Sequence, residues 1–407
     1  MSATTKNSAT EGTDTIGSSA DQGKITEQAL AAARALIGKK LRPEQYLRDA
    51  SVEVMINFAN GTGDLNPLYR DSDYARLTRY GSLIAHPIFP EVHHWPGRSH
   101  WGLPGVHGFA VGNDWEFFRN VRPGDRISVW NRVIAIEEKE GKFSGRMIMQ
   151  YVESNFTNQR DELIARVLGW TARHERDASK EKGKYKDIET HQYSEQEAAE
   201  IESKVIAEAD AIRGPETRYW EDTEEGDDIP EIVRGPLSLS DTMGFFAACG
   251  RGRTHGVLLR EALNHPKHYI RNPEAGGGVE YTGIGHHRES FAKEVGVPGM
   301  YDYLPQRVAW FGTLITNWMG DDAFLKRLRV DARRFNIQGD CQFINGKIDR
   351  KYNKDGYALV DIDIEAINQN GVTTTPGMAT VILPSTNLSD DVALDGSGLD
   401  LELPRLR

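Results

Sequence analysis

Residues 117–134 read FFRNVRPGDRISVWNRVI, and residues 333–348 repeat the pattern as RRFNIQGDCQFINGKI. Each stretch places a Gly-Asp pair, Gly124-Asp125 or Gly339-Asp340, ahead of a long β-prone run. Glycine and aspartate favour a turn, and the alternating apolar residues that follow favour a strand. The repeat therefore predicts two related units, each with a turn that delivers the chain into a long strand.

The elements around each repeat also recur in the same order. A helix is predicted after Ser51 and another after Ser238, and the spacing of apolar residues over 306–318 predicts a long core helix. A polar loop is predicted between the second and third of these helices. We expect an α+β protein, a tandem repeat in which a long helix is wrapped by an antiparallel sheet. The predicted strands are 109–111, 115–118, 126–138, 142–155, 163–171, 329–337, 341–352, 359–368 and 378–383.

Composition shifts along the chain predict where the units begin and end. The two domains are expected at 24–173 and 218–385, the first of which begins with an amphipathic helix over 24–38. A disordered tail is expected over 1–23, a charged helical linker over 174–217, and a mobile acidic tail over 386–407.

The charge balance limits the classes of partner. The chain has 49 Lys and Arg against 60 Asp and Glu, a net charge of −11. An acidic chain without a basic block is a poor ligand for nucleic acid or an anionic membrane, so neither is expected as a partner. Its two cysteines, Cys249 and Cys341, lie outside any CxxC, which favours a reducing, cytoplasmic location.

The motif with the strongest chemical meaning is Gly63-Asp64-Leu65-Asn66-Pro67-Leu68-Tyr69-Arg70-Asp71, followed by Ala75 and, eleven positions later, by His86. It resembles the signature of the hot-dog-fold R-specific enoyl-CoA hydratases, the MaoC-like group: a GD-x-N-P-L-H-x-D loop, an alanine and, eleven residues later, a His-Gly. The second half, GHHRESFAKEVGVPGMYDYLPQRVAWFGTLITNWMGDDAFL at 285–325, is similar to double-hot-dog acyl dehydratases. The resemblance covers most of the chain and implies a double hot-dog fold.

The resemblance also implies a hydro-lyase reaction without a cofactor. In that family an Asp and a His activate a water that adds to C3 of a 2-enoyl-CoA, and the reverse reaction dehydrates a 3-hydroxyacyl-CoA. A backbone N–H at the start of the central helix holds the thioester oxygen, as a preorganised donor should. Because one half departs from the motif, a wide pocket for a bulky acyl group is expected.

In the first half, the resemblance puts Asp64 at the position of the acid and Tyr69 at that of the histidine. Tyrosine is a weak base at neutral pH, although it can donate a proton. Pro87 follows His86 and has no N–H for an oxyanion, so this half is predicted to be degenerate. Asn66 and His86 are expected to contact the substrate. Alternatively, Asp64 and Asn66 tie a purely structural Asx turn.

In the second half, the same spacing puts His286 at the position of the base and Tyr303 before Leu304, whose N–H becomes the oxyanion donor. Tyr303 is expected to contact the substrate. The motif carboxylate is missing, and Glu280 is the predicted substitute. Two further carboxylates, Glu289 and Asp302, remain open for that role.

Three arginines, Arg307, Arg333 and Arg334, are candidates for the coenzyme A phosphates, or are ordinary charges on a strand face. No metal site is predicted, because the histidines lack a ligand spacing such as HExxH. Two other functions remain open: a hot-dog thioesterase, and a non-catalytic acyl-CoA-binding subunit of a hydratase complex. A homodimer is compatible with the sequence.

Overall fold

The computed structural model describes residues 16, 23–94, 101–141, 145–175, 190–388 and 395–401. Most of the predicted tail over 1–23, the part of the linker over 176–189, and residues 389–394 and 402–407 of the acidic tail lie outside these residues. The helices are α1 (Glu27–Arg34), α2 (Val52–Thr62), α3 (Ser72–Arg76), α4 (Glu195–Ala211), α5 (Leu239–Ala248), α6 (His255–Asn264), α7 (Glu289–Glu294) and α8 (Leu304–Met319).

Most strands follow one another in two runs, one in each half of the chain, and they cover most of the predicted β-prone residues; of the run predicted over 329–337, only 329–331 lie in a strand. They are β1 (Lys40–Leu41), β2 (His107–Phe117), β3 (Ser128–Gly141), β4 (Gly145–Thr157), β5 (Leu163–His174), β6 (Asp228–Arg234), β7 (Tyr269–Asn272), β8 (Gly278–Tyr281), β9 (Phe324–Asp331), β10 (Gln342–Lys354), β11 (Tyr357–Asn368) and β12 (Thr373–Leu383). The two runs predicted over 109–118 form the single strand β2.

A ten-stranded antiparallel sheet runs through the described part of the chain in the order β1-β3-β4-β5-β2-β9-β12-β11-β10-β6. The first five strands come from the first half of the chain and the last five from the second. Strands β2 and β9 join the halves, with Trp115 paired to Leu328. Each half is therefore one α+β unit, and the two sheets are continuous, which confirms the predicted double hot-dog architecture. A separate hairpin is formed by β7 and β8.

The helix at the centre of the second unit is α8, which the apolar spacing predicted. All of its residues from Gln306 to Met319 are buried. In the first unit, the chain after His86 forms a short 3-10 turn, Phe89–His93, and residues 95–100 lie outside the described part. Pro90 within this turn has no N–H to donate to a regular helix. In the described residues, the first unit thus has a short 3-10 turn at the place where the second unit has the long helix α8.

The two units also meet through α2 and α5, the pair of helices that the repeat predicted. Gly61 of α2 lies against α5 so closely that a Cβ there would overlap Ala248 Cβ and lie 3.1 Å from Gly244 O. Ser51 caps α2 by accepting from Val54 N. The close approach of these two helices places the loops that follow them near the junction of the units.

A mobile tail was predicted over 386–407, but residues 395–401 of it pack against the core. Leu399 and Leu401 are buried in the main core. Lys326 of β9, fully buried, donates to Gly396 O at 3.0 Å and lies 3.1 Å from Glu116 Oε1 of β2. Leu401 N donates to the same Glu116 oxygen at 2.7 Å. Apolar side chains and a buried ion pair thus fix this segment across the β2–β9 junction.

Two further segments differ from the prediction. The loop that was predicted to be polar forms α6 and the β7–β8 hairpin. In the linker, α4 packs against β6, and Glu208 forms a buried ion pair with Arg234 and accepts from Asn317 Nδ2. The linker helix is therefore attached to the second unit. Within the described chain, no helix is long and apolar enough to cross a membrane.

Candidate active site

A closed polar cluster joins the motif loop of the first unit to the central helix of the second. Asp64 Oδ2 accepts a 2.9 Å hydrogen bond from Thr313 Oγ1 of α8 and lies 3.5 Å from His86 Nε2. Thr313 Oγ1 is also 3.4 Å from His86 Nε2. The side chains of Asp64 and His86 have no solvent exposure. The His86 ring lies over Gly312, where a Cβ would come within 3.0 Å of it.

The backbone fixes the tautomer of His86. Ile88 N donates to His86 Nδ1 at 3.1 Å, so Nδ1 carries the lone pair and the neutral ring has its proton on Nε2. That proton faces the Thr313 hydroxyl, which donates in turn to Asp64. Burial lowers the pKa of His86 to about 3 and raises the pKa of Asp64. The cluster is a chain of hydrogen bonds without a basic nitrogen directed at a ligand.

The other predicted residues of the first unit support this interpretation. Asp64 Oδ1 accepts from Asn66 N at 2.7 Å, and Asn66 Oδ1 accepts from Leu68 N at 3.0 Å. These are the Asx turns of the structural alternative. Tyr69 is buried beside His86, and burial raises its pKa well above the ordinary value. The adjoining cavity is about 20 Å³, room for one water and not for an acyl chain.

The second cluster surrounds His286 at the start of α8. Its Nδ1 lies 2.9 Å from Tyr301 O. A carbonyl only accepts, so Nδ1 carries the proton and Nε2 has the lone pair of a base. The ring is partly buried and stacks on Tyr303, with ring centroids 3.8 Å apart. Burial lowers its pKa to about 3, so the imidazole is neutral at physiological pH.

His286 lies beside Tyr303, at the start of α8. Tyr303 is the N-cap residue of this 16-residue helix and Leu304 is its first residue, followed by Pro305. The Tyr303 hydroxyl lies 2.9 Å from His287 Nε2. The first amides of a helix have no partner within the helix and carry partial positive charge. The structure thus brings the predicted base and the predicted oxyanion donor to one end of one helix.

The predicted carboxylates have other partners. Glu280 accepts from Arg288 at 3.0 and 3.2 Å and from Asn272 at 3.1 Å. Asp302 is paired with Arg307 in the buried core, and Glu289 is paired with Lys293. Each of the three carboxylates is thus paired with an Arg or a Lys, and which of them serves His286 stays a prediction.

The three arginines predicted for coenzyme A lie in different environments. Arg307 is buried, donates to Asp302, and also donates to Arg334 O and Thr375 Oγ1. This arginine therefore stabilises the core around the start of α8. Arg333 and Arg334 are exposed, and their backbone N–H groups both donate to Thr374 O. Only the two exposed arginines present a surface that a coenzyme could reach.

A larger cavity, of about 360 Å³, lies between the units. The loop 101–106, the start of β2 and the end of β5 form one wall, and the residues that flank the β7–β8 hairpin, 267–268 and 281–283, form the other. Gly283, in this second wall, accepts a hydrogen bond from His286 N at 3.3 Å. Sequence reasoning did not predict this cavity. Arg173 of β5 lines this cavity. In the sequence it fits the ordinary alternation of polar and apolar residues along a strand, so no pattern marks it as functional.

No group of three or more His, Cys, Asp and Glu side chains is arranged to hold a metal ion within the described chain. His100 of the histidine-rich stretch lies outside the described residues. Two of the remaining histidines have structural partners: His93 Nδ1 lies 3.0 Å from Leu47 O, and His94 lies 3.8 Å from Glu91.

Comparisons with known proteins agree with the architecture. Residues 35–167 match the FAS1-like dehydratase domain region. A solved MaoC-like dehydratase is 17% identical and has a TM-score of 0.60, with 87% of this chain and 100% of that chain covered. A protein of Chloroflexus aurantiacus J-10-fl, assigned as a MaoC domain protein dehydratase, is 13% identical with a TM-score of 0.54, covering 86% and 95%. No curated protein matches the chain. The double hot-dog fold predicted from the sequence is confirmed and is shared with solved MaoC-like dehydratases, and most of the first unit matches the FAS1-like dehydratase domain region.

Proposed function

We propose that the protein adds water to a 2-enoyl-CoA, or removes it from a 3-hydroxyacyl-CoA, and that the second unit performs the reaction. The matched dehydratase region and the MaoC-like dehydratases of the same fold support this class of chemistry. The observation that carries the proposal is the hydrogen bond between His286 Nδ1 and Tyr301 O, because it leaves Nε2 as the basic nitrogen.

The proposed reaction needs a base and an electrophilic site. His286 Nε2 takes a proton from water while the water oxygen bonds to C3 of the enoyl thioester. The electron pair of the C2–C3 double bond moves towards the thioester oxygen, where the Leu304 N–H stabilises the negative charge. The proton then returns to C2, which gives the 3-hydroxyacyl thioester. A positioned base contributes about 10²–10⁴-fold to the rate when its pKa lies near the operating pH, so the low pKa of His286 places its contribution towards the lower end of this range.

The site in the first unit is proposed to serve packing instead. Its histidine has no basic nitrogen available, its tyrosine is buried, and Pro87 has no N–H. These departures leave one site for two units, and the closed cluster around His86 fastens the first unit to α8. A bulky acyl group stays the proposed substrate, on the fold-level analogy that a degenerate unit makes room for one.

The oxyanion donor provides the test. Leu304→Pro removes the N–H at the first helical position, where proline is well tolerated, and copies the Pro87 arrangement. The purified full-length chain is mixed with crotonyl-CoA and with a branched 2-enoyl-CoA, and the loss of enoyl-thioester absorbance is followed. We expect kcat to fall about 10²–10³-fold in Leu304→Pro. Leu304→Ala, which keeps the N–H, should stay within a few-fold of wild type.

Equal activity of the two Leu304 variants would refute the role of this amide. Release of free thiol during turnover would identify a thioesterase instead.

A non-catalytic acyl-CoA-binding subunit is the second candidate, favoured by the pairing of Glu280 with Arg288. Tight binding of the enoyl-CoA without turnover, followed by turnover when a partner protein is added, would select it.

A further inference from the structure

The cavity between the units has an unusual charge for this protein. The chain as a whole carries −11, yet the side chains that line the cavity include Arg173, Lys267 and His268 and no Asp or Glu. Its volume of about 360 Å³ is in the range of small-molecule sites. A basic cavity in an acidic protein points to an anionic ligand.

Arg173 is the group that a ligand would satisfy. Its guanidinium donates to Gln150 Oε1 at 2.9 Å and to the carbonyls of Leu103 and Val106 at 2.7 and 2.8 Å. These partners are neutral, and among the described residues no carboxylate pairs with Arg173. Its Nε atom is buried and has no hydrogen-bond partner in the described chain. Burial without a counter-charge lowers its pKa to about 10.

The fold holds this arginine in place at some cost. Gly108 lies opposite Arg173 in the β2–β5 pairing, and a Cβ there would come within 2.8 Å of Arg173 Cδ. Gln150 is fully buried: its Oε1 accepts from Arg173, and its Nε2 donates to Trp101 O at 2.6 Å. Arg173 is half-buried and has only neutral partners among the described residues. Partial desolvation of a cation without a counter-charge is unfavourable, and an anion in the adjoining cavity would offset it.

Trp101 contributes a second donor at the same cavity. Its indole Nε1 is buried and has no acceptor among the described residues. An indole N–H and a guanidinium N–H are both donors, and an acceptor that carries negative charge forms the stronger hydrogen bond with donors of this kind.

We propose that this cavity binds the anionic group of a small molecule, a carboxylate or a phosphate, with Arg173 as the counter-charge and Trp101 as a neutral donor. The site is distinct from the proposed catalytic groups. Because its wall includes Gly283, which is bonded to His286, the anion can belong to a thioester that also reaches His286. A separate free anion has the same chemistry, and binding experiments distinguish these sources.

The test is isothermal titration of the full-length chain with coenzyme A, succinate and inorganic phosphate. Three proteins are compared: wild type, Arg173→Gln, and Arg76→Gln, which removes an exposed arginine of α3. We expect at least one probe to bind wild type and Arg76→Gln equally and Arg173→Gln at least tenfold more weakly. Coenzyme A alone would identify the phosphates of the thioester, succinate alone a carboxylate, and inorganic phosphate alone a free anion.

If Arg173→Gln fails to fold, two more conservative variants test the same proposal. Trp101→Phe removes only the indole donor, and Gly108→Ala keeps the arginine but displaces its side chain. Each should weaken binding of the same probe. Binding of no probe, or wild-type binding by all of these variants, would overturn the proposal. Since binding is measured without turnover, this result is independent of the hydratase assay.

Discussion

His86 and His286 are held as opposite neutral tautomers. The His86 ring accepts at Nδ1 from Ile88 N, whereas the His286 ring donates from Nδ1 to Tyr301 O. Burial lowers the pKa of both rings to about 3, so both are neutral at physiological pH. At Nε2, therefore, His86 presents an N–H to its neighbours, whereas His286 presents a lone pair. This difference separates a packing histidine from a candidate base, although the two residues occupy different positions of the motif.

The hydroxyl of Thr313 should stabilise the junction of the units without contributing to catalysis. Thr313→Val keeps the shape and removes the donor to Asp64, which leaves a buried carboxyl oxygen without that bond. We expect the free energy of unfolding to fall by about 1–3 kcal/mol. Urea denaturation measures the change. Thr313→Ser keeps the hydroxyl and should lie closer to wild type; if the valine variant is as stable as the serine variant, the hydrogen bond contributes nothing.

His86 should make the protein sensitive to acid. Its pKa is about 3 in the folded state and about 6.5 when unfolded, so the unfolded chain binds more protons between these values. Its contribution to stability is present above pH 6.5 and is lost as the pH falls towards 3. His86→Asn keeps an acceptor for Ile88 N and does not titrate.

Urea midpoints of wild type and His86→Asn, measured from pH 7 to pH 4, test this prediction. Wild type should lose about 3 kcal/mol more than the variant over this range, from about 1.4 kcal/mol per pH unit. The buried groups that do not contact His86 titrate in both proteins and cancel in the difference. Parallel pH profiles would show that His86 is not buried in its neutral form.

Gly61 should be required by the contact between α2 and α5. Gly61→Ala places a methyl group against Ala248, and overpacking of this kind costs about 1–3 kcal/mol. Gly244→Ala, on the facing helix, meets no atom within 4 Å and should instead gain up to about 1 kcal/mol of helix propensity.

Thermal melting of Gly61→Ala, Gly244→Ala and the double variant Gly61→Ala/Ala248→Gly separates the effects. The double variant restores the space and should recover most of the loss. If both single alanine variants raise the melting temperature, the close approach of the helices is absent in solution.

The features that were predictable from the sequence are those with a local pattern. Alternating apolar residues predicted the long strands, and the spacing within 306–318 predicted α8. The Asx turns at Asp64 and Asn66 were one of the two interpretations of the motif, and the motif spacing put His286 at the position of the base. Each of these depends on residues that are close in the chain.

The remaining features depend on residues that are distant in the chain. Thr313 and His86 are 227 positions apart, and no sequence pattern connects them. Glu280 is eight residues from Arg288, and its proposed pairing with His286 could not be weighed against that ion pair without coordinates. The β7–β8 hairpin lies in a polar stretch with a weak strand pattern. Arg173 became informative only when its neutral partners were visible.

The central claim is that the second unit contains the base and the first does not. Asparagine replaces the Nδ1 side of a histidine, so His286→Asn keeps a donor to Tyr301 O while removing Nε2, and His86→Asn is its matched control. The measurement is kcat/KM of both variants for one 2-enoyl-CoA, with the concentration of folded protein determined by circular dichroism. We predict a loss of about 10²–10⁴-fold in His286→Asn and less than tenfold in His86→Asn. Wild-type activity in His286→Asn, or a larger loss in His86→Asn, would contradict the claim.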